Sequence, residues 1–364
     1  MRARGREVTE EKQNSSGLER LNVPLIRDEF VQHGDILNHS LISDSAKAQS
    51  AELVTLSYSM WTTLSHTNIR VIARLFREAM DFDPGNAEAF AGLSFALIAE
   101  GLWGIVRPSD AYSSAKAALR RAMEIDPELQ EAKCAAAWLN MISERDWEGA
   151  RSGFDEALTH KPATSRVLVG RAVLHIAGGC HQEASILLMK AAQQYPLSSS
   201  MTTWDCWNEY LAGNYANALD QIEQYRASGR HGPVVAAIEA LAYIQLEEPA
   251  AQIERIEALA TDYRHHDIVR GALGYAYGIS GQSQKAREVL DAMTHLGKRN
   301  DSREPYAAAL VLIGLNESQE AVKRLEQSYR EGSLWSLGFP CDPILAPLRN
   351  DPHYKLFLSK ISYP

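Results

Sequence analysis

The sequence is poor in the residues that announce chemistry. Its 364 residues hold only four cysteines, Cys134, Cys180, Cys206 and Cys341, far apart and without a CxxC pair. That spacing excludes a disulfide framework and a thiolate metal knuckle. Reduced thiols are expected instead, three of them in apolar helical patterns where a cysteine acts as a small hydrophobe. No apolar run approaches the roughly 18 residues that cross a bilayer. The opening MRARGREVTEEKQNSSGLER is basic but has no apolar stretch behind it, so a secretory signal is not expected. Positive charge is also short: 37 Lys and Arg face 46 Asp and Glu, a net of −9. Phosphate binding needs a concentrated basic face, and Arg2, Arg4 and Arg6 make only a small patch on a solvated tail. The expectation is a cytoplasmic protein with no direct nucleic-acid or membrane partner.

Catalytic constellations are equally scarce. There is no GxxxxGK[ST] and no strand-borne GxGxxG to cradle a phosphate. Ser113-Ser114-Ala115-Lys116 fits S-x-x-K in form but has no companion motif. Cys180 and His181 are adjacent, and neighbours do not face each other well enough for a thiolate pair. His265-His266, beside Asp267, is the one dense metal-like cluster. It lacks further ligands at helical or hairpin spacing and reads as an exposed connector. No enzyme activity, cofactor or metal is expected.

What the sequence does have is a beat. ARSGFDEALTHKP places Ala150, Phe154, Ala157 and Pro162 in a phrase that returns in EASILLMKAAQQYP and KAREVLDAMTHLG. The small marker residue falls at Ile72, Ala115, Ala150, Ala184, Ala218, Ala251, Ala286 and Ala321, about 34 residues apart except for one longer step. The long step contains GLWGIVRPSDA, read as a loop insertion at about 101–110. Each unit opens with an apolar segment of helical period, such as SRVLVGRAVLHIAGG. Gly179, Gly213, Gly281 or Asn316 then ends it, residue types that accept a left-handed conformation. A second helix carries the marker and, four residues later, a bulky partner: Phe76, Leu119, Phe154, Leu188, Ile222, Leu290 or Leu325. Pro84, Pro127, Pro162 and Pro196 stop these helices. The unit PVVAAIEALAYIQLEEPAAQIERIEALATDY lacks the turn glycine and has a shortened second helix.

Leu273, Gly274, Tyr277 and Gly281, with Ala150, Phe154, Ala157 and Pro162, resemble the tetratricopeptide repeat, and the resemblance covers roughly residues 50 to 331. It implies an all-α right-handed solenoid of about eight helical hairpins. The expected layout is a polar leader at 1–48, an array at 49–331 and a C-terminal cap at 332–364. DPILAPLRNDPHYKLF also resembles the close of arrays in bacterial winged-helix regulators, nucleotide cyclases and protein kinases, although no such effector module is legible here.

The family mapping places positions 5, 9 and 12 of each first helix on the concave face. Phe95, Leu139, Trp207, Tyr210, Tyr243, Tyr275 and Tyr306 fall there, with Arg166 and Arg303 at the edges. These residues are the candidate groove for a protein or peptide partner, because aromatics dominate binding hot spots. The competing reading makes the stripe inter-repeat core. By function the chain reads as an interaction scaffold of bacterial signalling or transcriptional regulation. The alternative is a regulatory or dimerising module, as a possible homodimer, separated from an N-terminal effector domain.

Overall fold

Turn residues cut the chain where the beat implies. The computed structural model describes residues 44–159, 163–196, 198–246, 249–295, 304–361 and 363–364, all within one compact unit. Gly179, Gly213, Gly281 and Asn316 all have positive φ, from 62° to 83°. The four prolines follow helices ending at Phe82, Ile125, Thr159 and Gln194. The result is eight hairpins: α1 (Asp44–Trp61) with α2 (Ile69–Phe82), α3 (Ala87–Leu102) with α4 (Pro108–Ile125), α5 (Gln130–Leu139) with α6 (Trp147–Thr159), and α7 (Ser165–Ala177) with α8 (His181–Gln194). Next come α9 (Ser199–Leu211) with α10 (Tyr215–Ala227), α11 (Pro233–Ile244) with α12 (Ile253–Asp262), α13 (Asp267–Ile279) with α14 (Ser283–His295), and α15 (Pro305–Gly314) with α16 (Ser318–Glu331). They form an all-α, tetratricopeptide-like right-handed solenoid, closed by a short helix α17 (Pro352–Lys360).

The marker residues are buried at seven of eight units. Ala251 is the exception: it is exposed in a short 3₁₀ turn, and α12 packs through Ile253, Ile256 and Leu259 instead. The missing turn glycine leaves that second helix at ten residues. Array helix α1 starts ahead of position 49, and the rest of the expected leader lies outside the described residues. Half of the insertion is helix rather than loop. Helices α3 and α4 extend into it and leave only residues 103–107 between them, with Trp103 folded inward and buried.

Two adjacent first helices touch almost backbone to backbone. A Cβ on Gly278 would lie 2.4 Å from the carbonyl carbon of Gly314, and one on Gly271 would lie 2.6 Å from the Ala307 oxygen. Side-chain-free contacts of this kind let α13 and α15 approach more closely than usual. Gly271 and Gly278 therefore form an inter-repeat seam. Gly278→Ala is expected to destabilise the fold by about 1–3 kcal/mol, since a backbone cannot step aside as a side chain can. Urea unfolding checks this, and an unchanged midpoint would contradict the seam.

The third hairpin departs from the rule in an informative way. Its left-handed slot holds Arg145 (φ 57°), which ends a π-helical turn at Asn140–Glu144. A non-glycine residue there is strained and needs compensating contacts. The guanidinium lies over the Tyr329 ring at 4.6 Å and the Trp147 ring at 5.9 Å, and donates to the Tyr329 carbonyl and the Ser336 hydroxyl. The end of the array thus meets its third hairpin directly.

Candidate functional site

The concave surface is divided between a filled half and an open half. After Glu331 the chain does not stay on the outer face of α16. Two 3₁₀ turns, Trp335–Gly338 and Pro343–Leu348, run through the hollow before α17 packs back on α16. The first turn packs on α7 and α16, the second on α15. Gly338 passes so close to α9 that a Cβ there would lie 3.0 Å from Leu211 and 3.1 Å from Trp207. The Tyr112 hydroxyl donates to the Gly332 carbonyl at 3.1 Å, and the Cys341 thiol points to the Ile176 carbonyl at 3.7 Å. The expected cap is therefore real only for α17; residues 332–348 are a plug.

Asp342 anchors the plug. Its buried carboxylate accepts from Tyr210 Oη at 2.8 Å, from Tyr306 Oη, and from the Ile344 amide at 3.2 Å. Burial pushes this carboxyl up to about 6, while the two tyrosine hydroxyls pull it back. Tyr306 also stacks on Trp335 at 5.8 Å and on Phe339 at 5.7 Å.

This settles where the candidate aromatics lie. Trp207, Tyr210 and Tyr306 are buried beneath the chain's own segment rather than on an open face, and Tyr275 is buried with its backbone against Gly314. Tyr243 is half-buried, donating to the buried Glu239 at 3.2 Å with the Arg255 guanidinium 5.3 Å from its ring. Leu139 is buried just before the π turn. Arg303 lies outside the described residues. Of the described members of the set, Phe95 and Arg166 alone come together at an accessible cavity.

That cavity is a cleft of about 480 Å³ between the first helices α1, α3, α5, α7 and α9. Four of the seven tryptophans wall it: Trp61, Trp103, Trp138 and Trp204. The Trp138–Trp204 and Trp204–Trp207 centroids, 6.1 and 5.8 Å apart, tie the wall to the plugged half. Among the described residues Arg166 is the one cation lining it, held over Tyr58 at 4.8 Å and Phe95 at 5.3 Å, with Glu131 approaching only to 3.9 Å. Mapping only positions 5, 9 and 12 missed these tryptophans. Part of the signal was available: Trp61, Trp138 and Trp204 recur on alternate first helices, α1, α5 and α9. Trp103 comes from the insertion, where no repeat rule applies.

The His265-His266 connector is only half exposed as expected. His265 is at the surface, but His266 is drawn against a second cavity beside Trp103 and Glu304. Among the described residues no group of three His, Cys, Asp or Glu converges to hold a metal ion, and no helix is long and apolar enough to cross a membrane.

No protein-family model and no curated protein sequence matches this chain. Solved structures do. The crystal structure of the APC/C hetero-tetramer Cut9-Hcn1 matches 88% of this chain and 57% of that one, at 15% identity and a TM-score of 0.53. Yeast Tom70 matches over 90% and 68% at 14% identity and 0.45. The human IFIT1 dimer with PPP-AAAA matches over 88% and 83% at 13% identity and 0.44. The chain thus spans a little over half the length of the chain it matches in that hetero-tetramer. At such identities the likeness establishes the helical-repeat fold and nothing finer.

Proposed function

We propose that the chain is a non-catalytic interaction scaffold that captures a partner polypeptide in the tryptophan-walled cleft. The observation that carries this reading is the division of the concave face. A solenoid hollow is the family's binding surface by resemblance, and among the described residues the half bounded by α1 to α9 is the half that the plug leaves open. The walls favour an aromatic or aliphatic side chain, because indoles offer large contact area at low entropic cost. Arg166 favours an acidic residue beside it, since its own carboxylate contact is long. The resemblance to arrays of bacterial regulators adds a signalling partner to the proposal, and a cytoplasmic setting with it.

Met201 lines the cleft and is only half-buried, so Met201→Trp fills the space without cutting into the core. Peptides selected by display against the full chain are expected to bind this variant at least about tenfold more weakly, with the melting temperature unchanged. Equal affinity for both proteins would place capture elsewhere. A concentration-dependent dimer on size-exclusion chromatography, lost in the same variant, would identify the partner as a second copy.

A further inference from the structure

The second cavity, about 640 Å³, lies where the 103–107 connection faces the α12–α13 turn and the start of the plug. Its chemistry is opposite to that of the cleft. Glu304 lines it, half-buried, with Oε1 accepting from the Tyr306 amide at 3.2 Å and the Ser328 hydroxyl at 3.0 Å. No described cation pairs with this carboxyl, and burial pushes it up to about 7. Glu331 lines it too, half-buried and bonded only to Gln327 among the described residues. His266 faces the same space, with a fully buried Nδ1 that has no hydrogen-bond partner among the described residues. Burial lowers its imidazole to about 4, so the ring is neutral. Trp103 and Trp335 complete the walls; Trp103 stacks on His66 at 6.5 Å and Trp335 on Tyr306 at 5.8 Å. Among the described lining residues there is no Lys or Arg.

Each feature asks for the same complement. Half-buried carboxylates without a cation beside them call for a positive charge. A neutral imidazole nitrogen without a partner can accept an N–H. Indole walls favour an alkylated cation over a hydrated one. A metal ion fits poorly, since no three ligands converge among the described residues. We propose that this cavity binds a protonated alkylamine, as presented by a lysine side chain or by a free diamine.

Two probes test the proposal by isothermal titration of the full-length protein at pH 8: cadaverine and N-acetyl-lysine methylamide, with the uncharged norleucine analogue as comparator. Saturable binding of an amine, at least tenfold tighter than norleucine, is the expected result. Preference for the lysine derivative points to a polypeptide ligand, and preference for cadaverine to a free amine. Glu304 is faced by His265, His266 and Asp267 from the α12–α13 turn, by Ser328 and Glu331 from α16, by Ser333 from the plug and by Tyr112 from α4. With its carboxyl titrating near 7 and the amine charged throughout, affinity should rise roughly tenfold from pH 6 to pH 8. Glu304→Gln is expected to weaken binding about tenfold and flatten that rise. Glu331→Gln, closer to the surface, gives the same weakening should the first variant fold poorly. Absence of saturable heat at pH 8, equal binding of norleucine, or indifference to both substitutions would overturn the site.

Discussion

A chain ended after Glu331 is expected to lose its cooperative fold, not to display an emptied groove. Leu334, Trp335, Leu337, Phe339, Ile344, Leu345 and Leu348 are each 5% exposed or less. At about 1.5–3 kcal/mol per fully buried large side chain, they contribute roughly 10–20 kcal/mol. Whole domains of ordinary stability have only about 5–15 kcal/mol to lose. A plug of that strength is core, and a peptide cannot be expected to displace it. Thermal unfolding followed by circular dichroism should show a broad, weak transition for the shortened chain, with dye-accessible apolar surface. A sharp transition within about 5 °C of the full chain would mean that the hollow stands on its own. By the same reasoning, Trp207→Ala with Tyr275→Ala should lower the melting temperature by more than about 5 °C.

Asp342→Ala is the single substitution expected to cost most. It strips the acceptor from two buried tyrosine hydroxyls and from the Ile344 amide, each loss worth about 1–3 kcal/mol. A total of about 3–5 kcal/mol at pH 5 should lower the melting temperature by roughly 5–10 °C. Asp342→Asn keeps an acceptor and should cost less than Ala at that pH. The pH dependence has a definite sign. Burial raises the folded-state value of Asp342 from 3.8 to about 6, and that of Glu304 from 4.5 to about 7. A group raised on folding stabilises fully below its unfolded value, and that contribution fades as pH climbs through the folded one. The protein should therefore melt at a higher temperature at pH 5 than at pH 8, with Asp342→Asn flattening the slope. A melting temperature that climbs from pH 5 to pH 8 would contradict the assignment.

Local rules made most of the array legible. Positive φ at Gly179, Gly213, Gly281 and Asn316, and helix ends just before the four prolines, follow from single residues and their neighbours. Ala251 failed as a marker because the glycine that should set its turn is missing. The plug was not legible for a different reason. SLWSLGFPCDPILAPL has no helical period, and its partners are remote: Tyr112 bonds Gly332 across 220 residues, and Tyr210 bonds Asp342 across 132. Arg145 escaped notice similarly, since what relieves its strained backbone comes from the far end of the chain. The candidate stripe was assigned to the inner surface from a position rule alone. What covers it could be known only from the path of the tail.

That path has a consequence for the size of the molecule. Repeat proteins usually tolerate gain or loss of a whole unit, because each unit touches only its neighbours. Here the segment leaving the eighth hairpin must reach Tyr112 in the second and Arg145 in the third. One extra unit would carry its starting point away from both, and one fewer would bring the ends into collision. The tail acts as a tally stick: it fixes the number of hairpins from the second to the eighth.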